Sequence, residues 1–80
     1  MSHPELLLYH FESCPYCKRV RDFLASEQIV IPMKDVKLDP HARVAMYQAT
    51  NKTQVPCLFI DGTPLFESAA IIQWFKDNWK

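Results

Sequence analysis

"FESCPYCKRV", residues 11–20, sets Cys14 and Cys17 three apart with Pro15 and Tyr16 between them, after an apolar run and ahead of a helical pattern. The run is "ELLLYHF", residues 5–11, and a continuous hydrophobic stretch bounded by polar residues suits a strand covered on both faces. From Pro15 to about Glu27 the period changes to that of a helix. Cys17, Val20 and Leu24 stand at i, i+3 and i+7 with Phe23 beside them, while Lys18, Arg19, Arg21 and Asp22 fill the other face. Pro15 suits the first helical position and makes Cys14 the N-cap candidate.

Outward from this strand–helix junction, "IVIPMKDVKL", residues 29–38, reads as a second strand, and Pro32 puts it at a sheet edge because proline cannot donate to a ladder. "DPHARVAMYQAT", residues 39–50, opens a second helix with Asp39 as cap and Pro40 in the first turn, and its weak apolar stripe is Val44 and Tyr47 with alanines. "VPCLFI", residues 55–60, reads as a buried strand, and Asp61-Gly62 is a strong hairpin signal leading into "TPLF". "ESAAIIQWFKDNWK", residues 67–80, closes as a helix capped by Ser68. Its Ile72, Phe75 and Trp79 stand at i, i+3 and i+7, and Ile71 and Trp74 widen the arc. A core face explains that arc, with partner contact as the alternative.

The order β-α-β-α-β-β-α predicts a single α/β domain over residues 1–80. The first two strands pair in parallel through a right-handed crossover and the hairpin adds antiparallel strands, giving a mixed four-stranded sheet flanked by three helices on both faces.

Charge and composition exclude several function classes. Nine basic residues balance nine acidic ones, and no run of like charge occurs, so no nucleic-acid partner is expected. The local cluster Lys18, Arg19 and Arg21 reads as a small field for an anionic ligand. "MSHPELLLYHF" has no basic n-region and too short an apolar run for a signal peptide or a membrane span, so the expectation is a cytoplasmic protein without membrane attachment. In that reducing compartment an odd count of three cysteines is a poor disulfide framework.

A cysteine at a helix start faces unpaired backbone N–H groups and the positive end of the helix dipole, which favour its thiolate, and Lys18 lies one turn on. Cys17, on the apolar face, should be more buried and less acidic. Cys14 is therefore the expected nucleophile and Cys17 the thiol that resolves a mixed disulfide, the two forming a redox-active pair. The other readings are a structural staple, which so short a loop makes weak, inert core thiols, and a zinc site. Zinc needs four ligands, and only Cys57 and the scattered His3, His10 and His41 remain, so no metal is expected. Cys57 reads as a small core hydrophobe, and the three histidines as surface or strand-end residues.

"CPYC" at the head of the first helix, "QVP" at residues 54–56 and "ES" at residues 67 and 68 together resemble the glutaredoxins of the thioredoxin fold, over essentially the whole chain. The resemblance implies a glutathione-dependent thiol-disulfide oxidoreductase that reduces protein disulfides and glutathionylated proteins. Glutathione would be its reducing co-substrate, with no tightly bound cofactor; separately, the chain is expected to be a monomer. The resemblance also implies that Tyr16 flanks the nucleophile, that the Val55 backbone pairs with the cysteinyl part of glutathione like an added strand, and that Pro56 is a cis-proline. Two positions depart from the common pattern: Phe11 stands where many glutaredoxins have lysine, and "FES" replaces Gly-Gly after the last strand. The second departure resembles glutathione-transferase N-terminal domains, and implies that Glu67 and Ser68 receive the γ-glutamyl end. Lys52 and Arg19 are candidates for the glycine carboxylate. The alternatives in other classes are a donor fed by thioredoxin reductase, a non-catalytic glutathione-binding or interaction domain of a transferase-like protein, and a metal or iron–sulfur carrier.

Overall fold

Alternation along Leu6–His10, strand β1, organises the molecule, for which a computed structural model describes residues 4–79. His3 lies outside the described residues. The elements that follow are α1 (Pro15–Ser26), β2 (Met33–Asp35), α2 (Pro40–Thr50), β3 (Cys57–Ile60), β4 (Thr63–Phe66) and α3 (Ser68–Asn78). The strands form one sheet in the order β2-β1-β3-β4, parallel between β1 and β2 and antiparallel elsewhere. The expected mixed four-stranded sheet with three helices is therefore the one observed.

Period-two alternation divides the core between the two faces of the sheet. Leu6 and Leu8, with Leu58 paired across from Leu8, pack under Val20 and Leu24 of α1 and Ile71 and Phe75 of α3. On the other face Tyr9 and Cys57 meet Ala42 and Met46 of α2, with Val36. Fully burying an aliphatic or aromatic side chain contributes about 1.5–3 kcal/mol, so these two small clusters are the main driving force for a chain of this length. The wide apolar arc of α3 is mostly core: Phe75 stacks edge-on to Trp74 at 5.1 Å between centroids, and Ile72, Trp74 and Trp79 pack partly buried against the same cluster.

Four local expectations change. The second strand is three residues long, because Pro32 has no N–H for the ladder and the Asp35 carboxylate ends it by accepting the N–H groups of Lys37 and Leu38 at 2.8 and 3.1 Å. It does lie at the edge, and Ile29 and Ile31 are buried without being strand. The third strand likewise begins at Cys57, past Val55 and Pro56. Helix α2 buries Ala42 and Met46, whereas Val44 and Tyr47 stay 55% and 53% exposed. The Asp39 carboxylate caps the helix by accepting from His41 and Ala42 at 3.0 and 3.2 Å, and the phase so set turns the 42/46 pair, one turn apart, toward the sheet.

The fourth change concerns Ser68, which is the first residue of α3 and not its cap. Glu67 holds the cap position with φ 77° and ψ 123°, and its side chain makes no capping bond. The hairpin is as expected, with Asp61 and Gly62 both at positive φ, 50° and 87°, as a tight two-residue turn of this kind demands.

Candidate active site

Cys14 caps α1 from an extended conformation, and the Cys17 N–H donates to its Sγ at 3.4 Å. Both are free thiols. Cys14 keeps 7% of its surface and Cys17 none, so an incoming sulfur meets Cys14 first. Burial, then a hydrogen bond with Cys14, pushes the Cys17 thiol up to about 12, against opposing pulls from the Phe11 backbone and the Arg21 charge. Cys17 therefore rests as a thiol at neutral pH. Cys57 is wholly buried in the α2-side cluster, and burial pushes it up to about 11, which makes it inert packing.

The cations beside this pair are arranged differently from the sequence expectation. Lys18 turns outward and pairs with Asp22 at 2.7 Å, both side chains exposed, and Arg19 is exposed as well. Arg21 alone turns inward. Its guanidinium donates to the carbonyls of Phe11 and Glu12 at 3.3 and 3.2 Å and lies 3.0 Å from His10 Nδ1. Because guanidinium has no acceptor, Nδ1 must accept and the imidazole proton resides on Nε2.

Burial, and next the Arg21 charge, hold the His10 pKa below its ordinary value, with Asp35 and Glu12 pulling the other way. The folded protein thus takes up this proton less readily than the unfolded chain. Its contribution to stability is complete above pH of about 6.5 and is lost as pH falls from there through the lowered folded value. Urea melts across that window should show declining stability toward acid, and His10→Asn, which keeps an acceptor but no titration, should flatten the slope.

Beside the cysteines lies a cleft of about 410 Å³ lined by Tyr16, Gln54, Val55, Pro56, Glu67 and Ser68. It gathers Tyr16, Val55, Pro56, Glu67 and Ser68, five of the seven residues expected to contact glutathione, whereas Arg19 and Lys52, the candidates for the glycine carboxylate, do not line it. Tyr16 stands 60% exposed at its edge, the Val55–Pro56 bond is cis, and Ser68 is buried at the helix start. Across the cleft Gln54 Nε2 donates to the Glu67 carboxylate at 3.1 Å. Gln54 was not nominated, although it begins the "QVP" run that carries its neighbours.

A neighbouring hollow of about 480 Å³ is lined by Phe11, Val36, Lys37, Pro40, Arg43 and Thr53. It is larger, but the first cleft has the backbone edge at Val55 and the helix start at Ser68 that a peptide-like ligand requires. The Lys37 ammonium stands 4.4 Å over the Phe11 ring and 3.5 Å from Ser13 Oγ. A cation thus reaches the Phe11 position from the segment that follows the neighbouring strand β2, which no local sequence signal announces. Lys52 instead lies over Phe66 at 4.9 Å. Among the described residues no group of three His, Cys, Asp or Glu is placed to hold a metal ion.

The model of the glutaredoxin family matches residues 6–65. Over 73 residues the chain is 34% identical to prostaglandin E synthase 2 of Danio rerio, a match covering 90% of this chain and 19% of that protein. A diazinon-metabolizing glutathione S-transferase of the silkworm Bombyx mori superposes with a TM-score of 0.76 at 25% identity, covering 94% of this chain and 38% of that one. The dithiolic glutaredoxin 2-C-Grx1 of Trypanosoma brucei brucei superposes with a TM-score of 0.71 at 23% identity, over 92% of this chain and 79% of that one. The chain spans well under half the length of the synthase and of the transferase.

Proposed function

The chain belongs to the glutaredoxin family, whose function is glutathione-related redox chemistry, and from that premise we propose that it reduces glutathione mixed disulfides and protein disulfides through Cys14 and Cys17, with glutathione as reductant. The observation that carries this reading is the position of the Cys14–Cys17 dithiol at the start of α1, beside a cleft that ends on Glu67 and Ser68.

In the glutathione route the Cys14 thiolate attacks the glutathione sulfur of a mixed disulfide, and the protein leaves as a thiolate that takes a proton from water. A second glutathione thiolate then attacks the glutathione sulfur held on Cys14, releasing oxidised glutathione and regenerating the Cys14 thiolate. In the dithiol route Cys14 attacks a protein disulfide, and Cys17 displaces the protein sulfur by closing the Cys14–Cys17 bond. Two glutathione molecules then reopen that bond. Within the cleft the Val55 backbone holds the cysteinyl unit, Tyr16 and Pro56 shape the space around its sulfur, Ser68 and its helix-start N–H receive the γ-glutamyl carboxylate, and Glu67 faces the ammonium.

The deciding measurement is turnover of a glutathione mixed disulfide with glutathione, glutathione reductase and NADPH. Oxidation of NADPH in proportion to protein supports the reading. A second reading, a glutathione-binding module without turnover, is favoured by the similarity to the silkworm transferase. Saturable glutathione binding with no turnover at high protein concentration selects it.

A further inference from the structure

Arg21 lies one helical turn beyond Cys17 on α1, with a side chain only 19% exposed. Among the described residues its hydrogen bonds and ion pair fall on one segment, His10 to Glu12, which joins β1 to the dithiol. It takes the carbonyls of Phe11 and Glu12, lies against His10 Nδ1, and stands 3.7 Å from the Glu12 carboxylate. The Phe11 carbonyl also accepts the Cys14 N–H at 3.2 Å, so one oxygen links the guanidinium to the backbone of the nucleophile. Of the three basic residues clustered on α1, this is the one directed toward the junction, and its planar fork suits several carbonyls at once as an ammonium would not.

We propose that Arg21 is the positioning residue of the dithiol step: it holds the turn before Cys14 against α1, keeping Cys14 Sγ within reach of Cys17, and its charge offsets the negative charge that Cys17 takes up when it resolves a mixed disulfide. The inference rests on the reading that Cys14 and Cys17 act as nucleophile and resolving thiol. In that step Cys17 gives its proton to water and its thiolate attacks Cys14 Sγ. The Cys14–Cys17 bond forms as the bond from Cys14 to the substrate breaks, and the departing sulfur leaves as a thiolate and is protonated by water. The two electrons of the dithiol end on the substrate. The charge argument stands on the place of Arg21 one turn beyond Cys17 on the same helix, and the Arg21 charge is the smallest of the influences that act on the raised Cys17 pKa, pulling it down. Only the dithiol route puts a charge on Cys17, in this step and when glutathione reopens the Cys14–Cys17 bond, whereas the glutathione route needs Cys14 alone.

The test compares Arg21→Gln and Arg21→Lys with the parent on two substrates: a glutathionylated peptide and a peptide cyclised by one disulfide. Arg21→Gln should slow the cyclic-peptide route about tenfold more than the glutathione route. Acid quenching and mass spectrometry should find the Cys14–peptide mixed disulfide accumulating. Arg21→Lys, which keeps the charge but loses the fork, should recover part of the difference. Equal losses on both substrates with no accumulated intermediate would reduce Arg21 to a scaffold contact and overturn the proposal, as would unchanged kinetics in both variants. A parent protein inactive on both substrates would instead remove the underlying redox reading.

Discussion

Cys14→Ser is expected to abolish turnover of both glutathione mixed disulfides and protein disulfides, by more than about a thousandfold, the scale expected when a covalent nucleophile is lost. Cys17→Ser should behave differently: it keeps the glutathione route and loses reduction of protein disulfides. The asymmetry has a structural origin. Cys14 is the cysteine with remaining surface, at the cap of α1, while Cys17 is wholly enclosed and held as a thiol by burial. Removing Cys17 takes away only the sulfur that displaces a bound protein. Both variants should fold, because serine at position 14 can still accept at the cap and position 17 loses only a small buried thiol. Parallel assays on the two substrate types decide the matter, and equal losses from the two substitutions would contradict the division of roles.

Glu67→Gly is expected to move stability and glutathione affinity in opposite directions. Glu67 adopts φ 77° and ψ 123°, a region where a Cβ is strained and glycine is not. Residues held in such regions cost of order 1–3 kcal/mol, and glycine's greater freedom in the unfolded chain offsets part of the relief, leaving a net gain of about 1 kcal/mol. For a domain of this size that corresponds to a rise in Tm of about 4–8 °C. The same change removes the carboxylate that Gln54 holds across the cleft at 3.1 Å. A charged contact of this kind is worth about 1.5–3 kcal/mol when well desolvated, and the open edge of the cleft argues for the lower end, about tenfold in glutathione affinity. Glu67→Gln separates the terms, since it retains the Cβ and the strained backbone while losing the charge. It should weaken glutathione without raising Tm. A more stable Glu67→Gly protein with unaltered glutathione kinetics would leave the acidic side chain without a binding role.

The places where the fold followed the sequence, and where it did not, divide along one physical line. Strand β1, helix α1 and the Asp61-Gly62 hairpin were legible because each is specified by neighbours in the chain: an unbroken apolar run, an i, i+3, i+7 stripe behind Pro15, and two residues suited to positive φ. The cysteine pair was legible for the same reason, since its spacing and its place at a helix start are local facts. The face of α2 was not, because Val44 and Tyr47 are as apolar as Met46, and only docking on the sheet selected the 42/46 pair. Nor were the length of β2, the inward turn of Arg21 alone among its basic neighbours, or the approach of Lys37 to Phe11, which the parallel pairing of β1 with β2 creates. Glu67 is the sharpest instance: its sequence context reads as the start of a helix, yet its conformation is one that local preference opposes, held by β4 on one side and α3 on the other. Local propensities are worth tenths of a kcal/mol per residue, and packing two apolar surfaces is worth several. The sequence alone therefore determined which segments are strands and helices and where the thiols stand, while tertiary packing decided which side chains face the cleft and which charges reach the sulfurs.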